Sequence, residues 1–409
     1  MSKKERFVSC FDVGTQKICV VVARTGADGQ AEIVGSGTAP SNGIVRGVVV
    51  DMEQLSDALR RAGQEIEAGS DLSIDWVTVS ISGDHIQGFN CHGAIPIEGR
   101  NNEVTVQDVV QVVAAAQSIP LPPTREIVHV LPQEYVLDTR GGIRQPVGLT
   151  GSRLEVDLHV VTSDSAQMQN LVNAVNRAQM RVRKVICKHI ASAEAVLTRD
   201  EKELGAVVMD IGAGTTDVAL VVRHGVRYTG TLPVAGAHFT RDLAVGLRTP
   251  IDEAERIKRE SGSALYEDVA EDDMIEVPGV GSRSPRPMPR RFACEILHHR
   301  AVELLELVRE QIDRAGAAEQ ALAGVVVTGG GSMLHGLMEI AERVLGMPAR
   351  RGVPQGLRGL TEQLAHPACA TAAGLAMLSC QEGHLHPARD ARGAAPPWLV
   401  NRFLSWVGS

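Results

Sequence analysis

Aromatic residues are scarce in this 409-residue chain, in which three tryptophans, three tyrosines and six phenylalanines make up only 3%. Proteins that bind nucleic acid by stacking its bases depend on such side chains. The formal net charge of −8 also gives no overall field that attracts DNA or RNA. We therefore expect no nucleic-acid partner.

Paired cysteines and long apolar runs are missing as well. None of the seven cysteines forms a Cys-x-x-Cys pair and several lie in apolar runs, which indicates buried free thiols in a reducing cytoplasm. Residues 1–6 are polar and the next apolar run is short, so we predict no signal peptide. No apolar run reaches the length that a membrane-spanning helix needs.

What the chain does contain is aliphatic residues. The apolar fraction is 44%, and with so few aromatics this composition is typical of an α/β core. A chain of 409 residues exceeds what one hydrophobic core usually organises, so we expect two or more domains.

One stretch organises the rest of the chain. The apolar run 207–209 ends in Asp210, and a second apolar run, 218–222, follows Asp217. This pattern predicts a strand, a tight turn and a returning strand. The glycines of this turn let a ligand approach the backbone closely, and successive N–H groups in such a turn form an anion-binding nest. Asp210, at the end of the strand, would hold Mg²⁺ through water. The alternative is an ordinary hairpin turn. The turn residues are Gly212, Ala213, Gly214, Thr215 and Thr216.

The same arrangement occurs near the N-terminus, where Asp12 ends an apolar segment and another apolar segment, 18–22, follows. The turn between them contains Gly14, Thr15, Gln16 and Lys17. A third turn follows the apolar run 325–327 and contains Gly329, Gly330, Gly331 and Ser332. Two copies of one phosphate hairpin indicate an internal duplication with one nucleotide between the halves.

With these three turns the chain resembles the actin-like ATPase superfamily, whose phosphate-1, phosphate-2 and adenosine motifs match residues 12–15, 210–217 and 328–332. Within that superfamily it is similar to the bacterial cell-division family FtsA. The stretches that carry this closer similarity are 129–135, 146–151 and 200–205, together with an amphipathic C-terminal tail. The resemblance covers nearly the whole chain, with a gap at about 267–291.

The resemblance implies an α/β actin-like fold, a two-domain ATPase fold that duplicates a ribonuclease H-like unit, with an inserted subdomain 1C and a C-terminal amphipathic helix. The implied divisions are subdomain 1A at 1–83, 163–203 and 347–380; 1C at 84–162; 2A at 204–227 and 305–346; 2B at 228–304; a flexible linker at 381–396; and a membrane-targeting helix at 397–409.

The resemblance also implies ATP and Mg²⁺ as cofactors. Backbone N–H groups of both hairpins would hold the phosphates, and Asp12 and Asp210 would orient the metal through water. Side chains of Thr15, Gln16, Lys17, Thr215 and Thr216 would help. The third turn would hold the nucleoside together with Glu255 and Lys258, which lie three residues apart on a predicted helix, 251–261. For that pair the alternative is a surface ion pair.

One position bears on hydrolysis. In other bacterial actins an acid or amide at the head of the helix before phosphate 2 positions the attacking water. Lys188 stands at that place here. A charged lysine cannot act as a base, so we expect ATP binding with at most weak hydrolysis.

The last segment predicts contact with a membrane. Wound as a helix, residues 398–407 place most of their apolar side chains on one face, and two of the three tryptophans of the chain lie there. Tryptophan favours the membrane–water interface, and such a helix folds when that face meets lipid. The alternative is a helix packed on its own domain. The predicted membrane residues are Trp398, Leu399, Phe403, Leu404, Trp406 and Val407.

By resemblance, the protein polymerises and ties the tubulin-like protein FtsZ, through 2B, to the cytoplasmic face of the inner membrane at the division site. It would be peripheral, would bind inner-membrane lipid, and would recruit later division proteins through 1C. Two alternatives stay open: a pilus-assembly protein like PilM, and a metabolite kinase of the same superfold.

Two further expectations concern the second half. The segment 267–291 is rich in Pro, Gly, Ser and charge and reads as a long exposed loop. The small residues at 370–376 predict a closely packed helix, which in the superfamily crosses between the large domains.

Overall fold

The computed structural model describes residues 7–26, 30–69, 72–98, 100–281 and 284–381. The predicted membrane helix at 397–409 lies outside the described residues, and so does the predicted linker at 381–396 apart from Gln381, which ends a helix.

Eighteen strands and ten α-helices occur in the part of the chain that the structure describes. The strands are β1 Phe7–Val13, β2 Lys17–Thr25, β3 Ala31–Pro40, β4 Ile44–Val45, β5 Val48–Val49, β6 Trp76–Ile81, β7 Gln87–Pro96, β8 Arg125–Leu137, β9 Arg140–Ile143, β10 Arg153–Asp164, β11 Arg181–Cys187, β12 Ala206–Ile211, β13 Thr216–Val222, β14 Gly225–Leu232, β15 Met274–Val277, β16 Arg286–Pro289, β17 Val325–Thr328 and β18 Ala349–Arg351. The helices are α1 Met52–Ala68, α2 Val106–Ala116, α3 Ser165–Arg177, α4 Lys188–Val196, α5 Arg199–Leu204, α6 Gly236–Leu247, α7 Ile251–Ser261, α8 Arg290–Arg314, α9 Leu337–Leu345 and α10 Ala370–Gln381.

Two five-stranded sheets share one topology. The first has the order β3-β2-β1-β6-β11 and the second the order β14-β13-β12-β17-β18. In each, three consecutive antiparallel strands are followed by two parallel ones. The central hairpins have the same register, since Asp12 pairs with Cys19 and Asp210 pairs with Asp217. The predicted duplication and the actin-like fold are therefore confirmed.

The strands at the centre of each sheet are buried, which explains why they read as continuous apolar runs rather than as alternating patterns. All six residues of β12 and all but the first of β1 are buried. Helix α10 packs on α4 and on β1. An added Cβ at Gly374 would lie 1.8 Å from the Ala191 carbonyl oxygen, so the predicted close packing of this helix is confirmed.

The segment between β6 and α3 forms its own sheet, in the order β7-β10-β8-β9, and α2 packs against it. Helix α2 begins after Thr105, whose side chain and that of Asp108 form a capping box. Here β10 pairs with β7 on one side and with β8 on the other. This unit has its own hydrophobic cluster, whose members include Tyr135, Leu154 and Leu158.

The expectation of a long exposed loop at 267–291 is wrong. Strands β15 and β16 form an antiparallel hairpin there, and α8 begins at Arg290. Arg290 pairs with Asp273 at 2.9 Å, and Val277 is buried in the core of the second half. The composition of the segment did not indicate this hairpin because some of the contacts that hold it are made with residues outside the segment, such as the bond from Arg286 to the Leu247 carbonyl.

All seven cysteines are free, and six of them are buried, as predicted. Across the described ranges, no helix combines the length and the apolar character that crossing a membrane requires.

Candidate functional site

The turns after β1 and β12 are built alike. In the first, the Gly14 N–H donates to the Lys17 carbonyl at 3.0 Å, and in the second the Gly212 N–H donates to the Thr215 carbonyl at 2.9 Å. In each turn the first glycine comes two residues after an aspartate, Asp12 or Asp210. Each turn therefore has one carboxylate at its base.

The two turns meet across the cleft between the sheets. An added Cβ at Gly214 would lie 2.4 Å from the Thr15 hydroxyl, which is why this position has no room for a side chain. Ser82, just after β6, lies 3.2 Å from the Thr215 hydroxyl and donates to Asp217 at 2.7 Å. Polar contacts therefore join the first half to the second at the two glycine turns.

Asp12 has two partners close to the first turn. The Ser80 hydroxyl donates to its Oδ1 at 2.9 Å, and the Lys188 ammonium lies 2.8 Å from the same oxygen. The side chains of Lys188 and Asp12 are only 15% and 11% exposed. Burial alone lowers the pKa of Lys188, but the charge and hydrogen bond of Asp12, with Asp217 and Asp210, outweigh it and raise that pKa. Lys188 is therefore charged at neutral pH.

Asp210 is held by hydroxyl groups from two helices. Ser192 on α4 and Thr371 on α10 both donate to its Oδ2, the latter at 3.0 Å. Burial raises the pKa of Asp210 to about 6, against the hydrogen bond from Ser192, and the charge of Asp217 adds to the rise. The two helices and the second hairpin therefore share one buried carboxyl group.

The third turn lies directly on the second. Gly329 has a φ of +81°, and a Cβ there would lie 2.3 Å from Asp210 Oδ1, so only glycine fits. A Cβ at Gly331 would clash with Ile211, while Gly330 is exposed. The Ser332 hydroxyl donates to the Gly329 carbonyl at 2.7 Å and so closes the turn itself.

Glu255 and Lys258 pair with each other at 2.6 Å on α7, next to the second glycine turn. The Lys258 ammonium also donates to the Gly236 carbonyl at 3.1 Å and to the Thr240 hydroxyl at 2.8 Å. The Gly236 N–H donates in turn to the Gly212 carbonyl at 3.0 Å. The pair is thus both an ion pair and a neighbour of the cleft.

Two of the predicted side chains contact other protein groups. The Lys17 ammonium lies 3.8 Å from the Cys369 sulfur, and the Thr216 hydroxyl donates to the Val234 carbonyl at 2.7 Å. Gln16 is exposed, and its backbone carbonyl accepts from the Ser41 N–H at 3.0 Å. The six predicted membrane residues lie outside the described residues.

Sequence reasoning missed the residues that hold the acids. These are Ser80, Ser82, Ser192 and Thr371, with Lys188 as the partner of Asp12. The one available signal was that Ser80 and Ser82 alternate with apolar residues at the end of what the structure shows to be β6, and side chains at the carboxyl ends of parallel strands gather at one edge of a sheet.

Similarity to known proteins fits this architecture. A family model described as "Cell division protein FtsA" matches residues 207–374, and one described as "SHS2 domain inserted in FTSA" matches residues 83–162. The cell division protein FtsA of Pseudomonas aeruginosa is 40% identical over 371 residues, covering 91% of this chain and 88% of that protein. This chain belongs to the FtsA family of cell division proteins. The Escherichia coli K12 member is 36% identical over 98% of this chain and 97% of its own length.

Solved structures that share the fold come from other bacterial actin-like proteins. The PilM-PilN type IV pilus biogenesis complex matches with a TM-score of 0.63 at 17% identity, over 91% of this chain and 98% of the other. Spiroplasma citri MreB5 bound to ADP matches with a TM-score of 0.55 at 14% identity, over 90% and 94%. At such identities these likenesses establish the actin-like fold alone.

In this FtsA-family chain the stretch 129–135, which carried the resemblance, connects the inserted sheet to both halves. His129 Nε2 accepts from the Cys187 N–H at 3.0 Å, directly before α4. The Gln133 amide donates to the Val226 carbonyl at 3.0 Å, and Arg227 donates to Glu134 at 2.9 Å. The stretch therefore anchors the inserted unit against β11 and β14.

The site residues fit a nucleotide, since two opposed glycine turns and a third beside Asp210 form one polar cradle. They fit Mg²⁺ only as an ion that takes most of its ligands from elsewhere. Asp12 Oδ1 and Asp210 Oδ2 already have partners, and no group of three or more His, Cys, Asp or Glu side chains within the described ranges is placed to hold a metal. The acids suit an ion that takes phosphate oxygens and water as its ligands.

Proposed function

We propose that this protein binds ATP with Mg²⁺ between its two sheets, assembles into filaments, and anchors FtsZ to the cytoplasmic face of the inner membrane through its C-terminal helix. The observation that carries this proposal is the pair of equivalent glycine turns that face each other across the cleft, with the third turn lying on Asp210. Membership of the FtsA family supports the role in division.

The nucleotide would be held by groups from both halves. Gly14, Thr15, Gly214 and Thr215 would offer backbone and hydroxyl groups to the phosphates, and Gly330 with Glu255 and Lys258 would adjoin the nucleoside. Asp12 and Asp210 would hold Mg²⁺ through water, and the ion would supply positive charge to the phosphates. A ligand that contacts both halves favours a closed form, which would favour assembly.

Hydrolysis is at most weak in this proposal. Lys188 occupies the head of α4, where a group that positions the attacking water would stand, and its ammonium is paired with Asp12. A protonated lysine cannot accept a proton from water. Nucleotide binding, rather than turnover, would then control assembly.

Two regions would contact partners. FtsZ would dock on the region 228–304, where several apolar side chains are exposed, among them Val245 at 73%. Later division proteins would bind the inserted unit at 84–162. Copies of the chain would contact each other along the filament.

The tail would bind lipid weakly on its own. Fully burying a large apolar side chain gains roughly 1.5–3 kcal/mol, interfacial insertion gains less, and folding the segment costs entropy. When many tails are joined in a filament, each further tail binds at high effective concentration. Assembly and membrane attachment should therefore strengthen one another.

Liposome co-sedimentation tests this proposal, with the full chain compared to a version that ends at Pro396, with and without ATP. We expect the full chain to pellet with vesicles, more so with ATP, and the shortened chain to stay soluble. Two point variants sharpen the comparison, since Phe403→Asp places a charge on the apolar face and Ser405→Asp places the same charge on the polar face. Only the first should abolish pelleting.

If all versions stay soluble at high lipid, the membrane anchor is wrong. A pilus-type role, in keeping with the fold shared with the PilM-PilN complex, would then be the next function to test. ATP-dependent phosphorylation of a small molecule would instead favour the metabolite kinase.

A further inference from the structure

A lysine lies among three aspartates at the floor of the cleft. The Lys188 ammonium is 2.8 Å from Asp12 Oδ1, and Asp217 and Asp210 both act on it electrostatically. A Cβ added at Gly14 would lie 3.9 Å from that ammonium, so the charge stands directly beside the first phosphate turn. The lysine of the turn itself, Lys17, is directed to Cys369 instead.

The position of Lys188 is unfavourable for the helix that carries it. Lys188 is the first residue of α4, a nine-residue helix, and the N-terminus of a helix already has a positive partial charge. Its Cys187 cap makes no side-chain hydrogen bond to the helix. A mostly buried cation at the start of a helix stays charged because its attraction to the surrounding carboxylates offsets the free-energy cost of desolvating it.

These acids would otherwise oppose a ligand with several negative charges. Three carboxylates near a triphosphate would repel it, and a bound divalent cation is the usual remedy. Lys188 brings one positive charge that is fixed in place and needs no ion to be recruited. Its three N–H donors exceed the single contact with Asp12 and leave capacity for phosphate oxygens.

We propose that Lys188 is the built-in cation of the phosphate site, so that this chain binds the triphosphate of ATP without a divalent cation. The ammonium contacts Asp12 and the phosphates together, and Mg²⁺ adds to the affinity rather than creating it. This inference rests on the proposed nucleotide-binding function.

The test is calorimetric titration of ATP into the full-length protein in excess Mg²⁺ and in excess EDTA. We expect the wild-type protein to bind ATP under both conditions. Lys188→Gln should weaken binding in EDTA by roughly 10- to 100-fold, the value of one charge-assisted hydrogen bond. Excess Mg²⁺ should restore most of that loss, and Lys188→Arg, which keeps the charge, should retain binding in EDTA.

A matched control is available on α5. Lys202 has a 2.8 Å pair with Glu194 and a side chain 17% exposed, nearly the same environment as Lys188, but its pair lies away from the phosphate turns. Lys202→Gln should leave ATP binding unchanged in both buffers. An equal loss in this variant would show that any broken buried ion pair disturbs the cleft, and would overturn the proposal.

The outcomes distinguish a failure of the Lys188 role from a failure of nucleotide binding itself. Wild-type protein that binds ATP in Mg²⁺ but not in EDTA overturns the role of Lys188 and leaves nucleotide binding intact, and this comparison needs no variant to fold. Wild-type protein that binds ATP in neither buffer overturns the proposed function and the role of Lys188 with it. Equal ATP affinities of the wild-type protein and Lys188→Gln in EDTA also overturn the role of Lys188.

Discussion

Single residues beside the glycine turns show where the fold holds a buried acid at a cost in stability. Asp210 is buried, its pKa is raised to about 6, and its carboxyl group is held by Ser192 and Thr371. A carboxylate in this place is costly to the free protein, which is common where a group is kept for a ligand. The Asp12 carboxylate instead has the Lys188 ammonium 2.8 Å from its Oδ1.

Asp210→Asn should therefore stabilise the nucleotide-free protein. A folded pKa of about 6, above the ordinary 3.8, means that the stabilisation present below pH 3.8 is lost as the pH rises through 6. The variant escapes this loss, so its advantage in unfolding free energy should grow from near zero at pH 4 to about 3 kcal/mol above pH 6. Urea denaturation across this range measures it, and a variant less stable than wild type at pH 8 contradicts the argument. ATP binding should weaken at the same time.

At the scale of elements, the crossing of α4 and α10 positions the acids. Ser192 and Thr371 reach Asp210 from these two helices, which pack so closely at Gly374 that no side chain fits there. The distance between the helices is thus coupled to the hydrogen bonds of the carboxyl group.

Gly374→Ala should separate the two helices. Alanine normally stabilises a helix interior by up to about 1 kcal/mol relative to glycine, but overpacking here should cost about 1–3 kcal/mol. The midpoint of urea unfolding measures the change. Gly63→Ala in α1 is the control, because its added Cβ would meet only ordinary contacts, at 3.7 Å from the Met180 sulfur and 3.8 Å from Phe11. The control should be neutral or stabilising, and equal destabilisation of both variants would refute the packing argument.

At the scale of the whole molecule, the inserted unit is joined to the second sheet through a buried histidine. His159 on β10 lies 2.7 Å from the Asn90 side-chain oxygen and 2.9 Å from the Thr229 hydroxyl on β14. Burial, with a contribution from His189, lowers the pKa of His159 to about 4. The joint is therefore built for a neutral imidazole.

This joint should make stability depend on pH. The unfolded chain takes up a proton near the ordinary pKa of 6.5 while the folded chain resists until about 4, so the free energy of unfolding should fall as the pH drops between these values. His159→Gln should remove up to about 3 kcal/mol of that fall. The difference between the two proteins in chemical denaturation, from pH 7.5 to 4.5, isolates the contribution of His159. Parallel curves for the two proteins would show that the histidine is not involved.

Much of the fold was predictable because its signals are local. Apolar runs, turn glycines and caps such as Asp51, whose side chain accepts from the Gln54 N–H, act within a few residues of the chain. The hairpins at Asp12 and Asp210 repeat one pattern, so the duplication could be read directly. The β15–β16 hairpin was not predicted because its composition is typical of a loop and because some of its stabilising contacts are made with residues elsewhere in the chain.

The sequence by itself determined the two equivalent glycine turns, the third turn beside them and the family, since each is a contiguous pattern of residues. Only the tertiary structure decided how the acids are held. Ser80 reaches Asp12 across neighbouring parallel strands, Thr371 reaches Asp210 from the far end of the chain, and Lys188 on α4 pairs with Asp12 at the end of β1. These partners are set by how sheets and helices pack, because a side chain acts on whatever lies within a few ångströms, however distant it is along the chain.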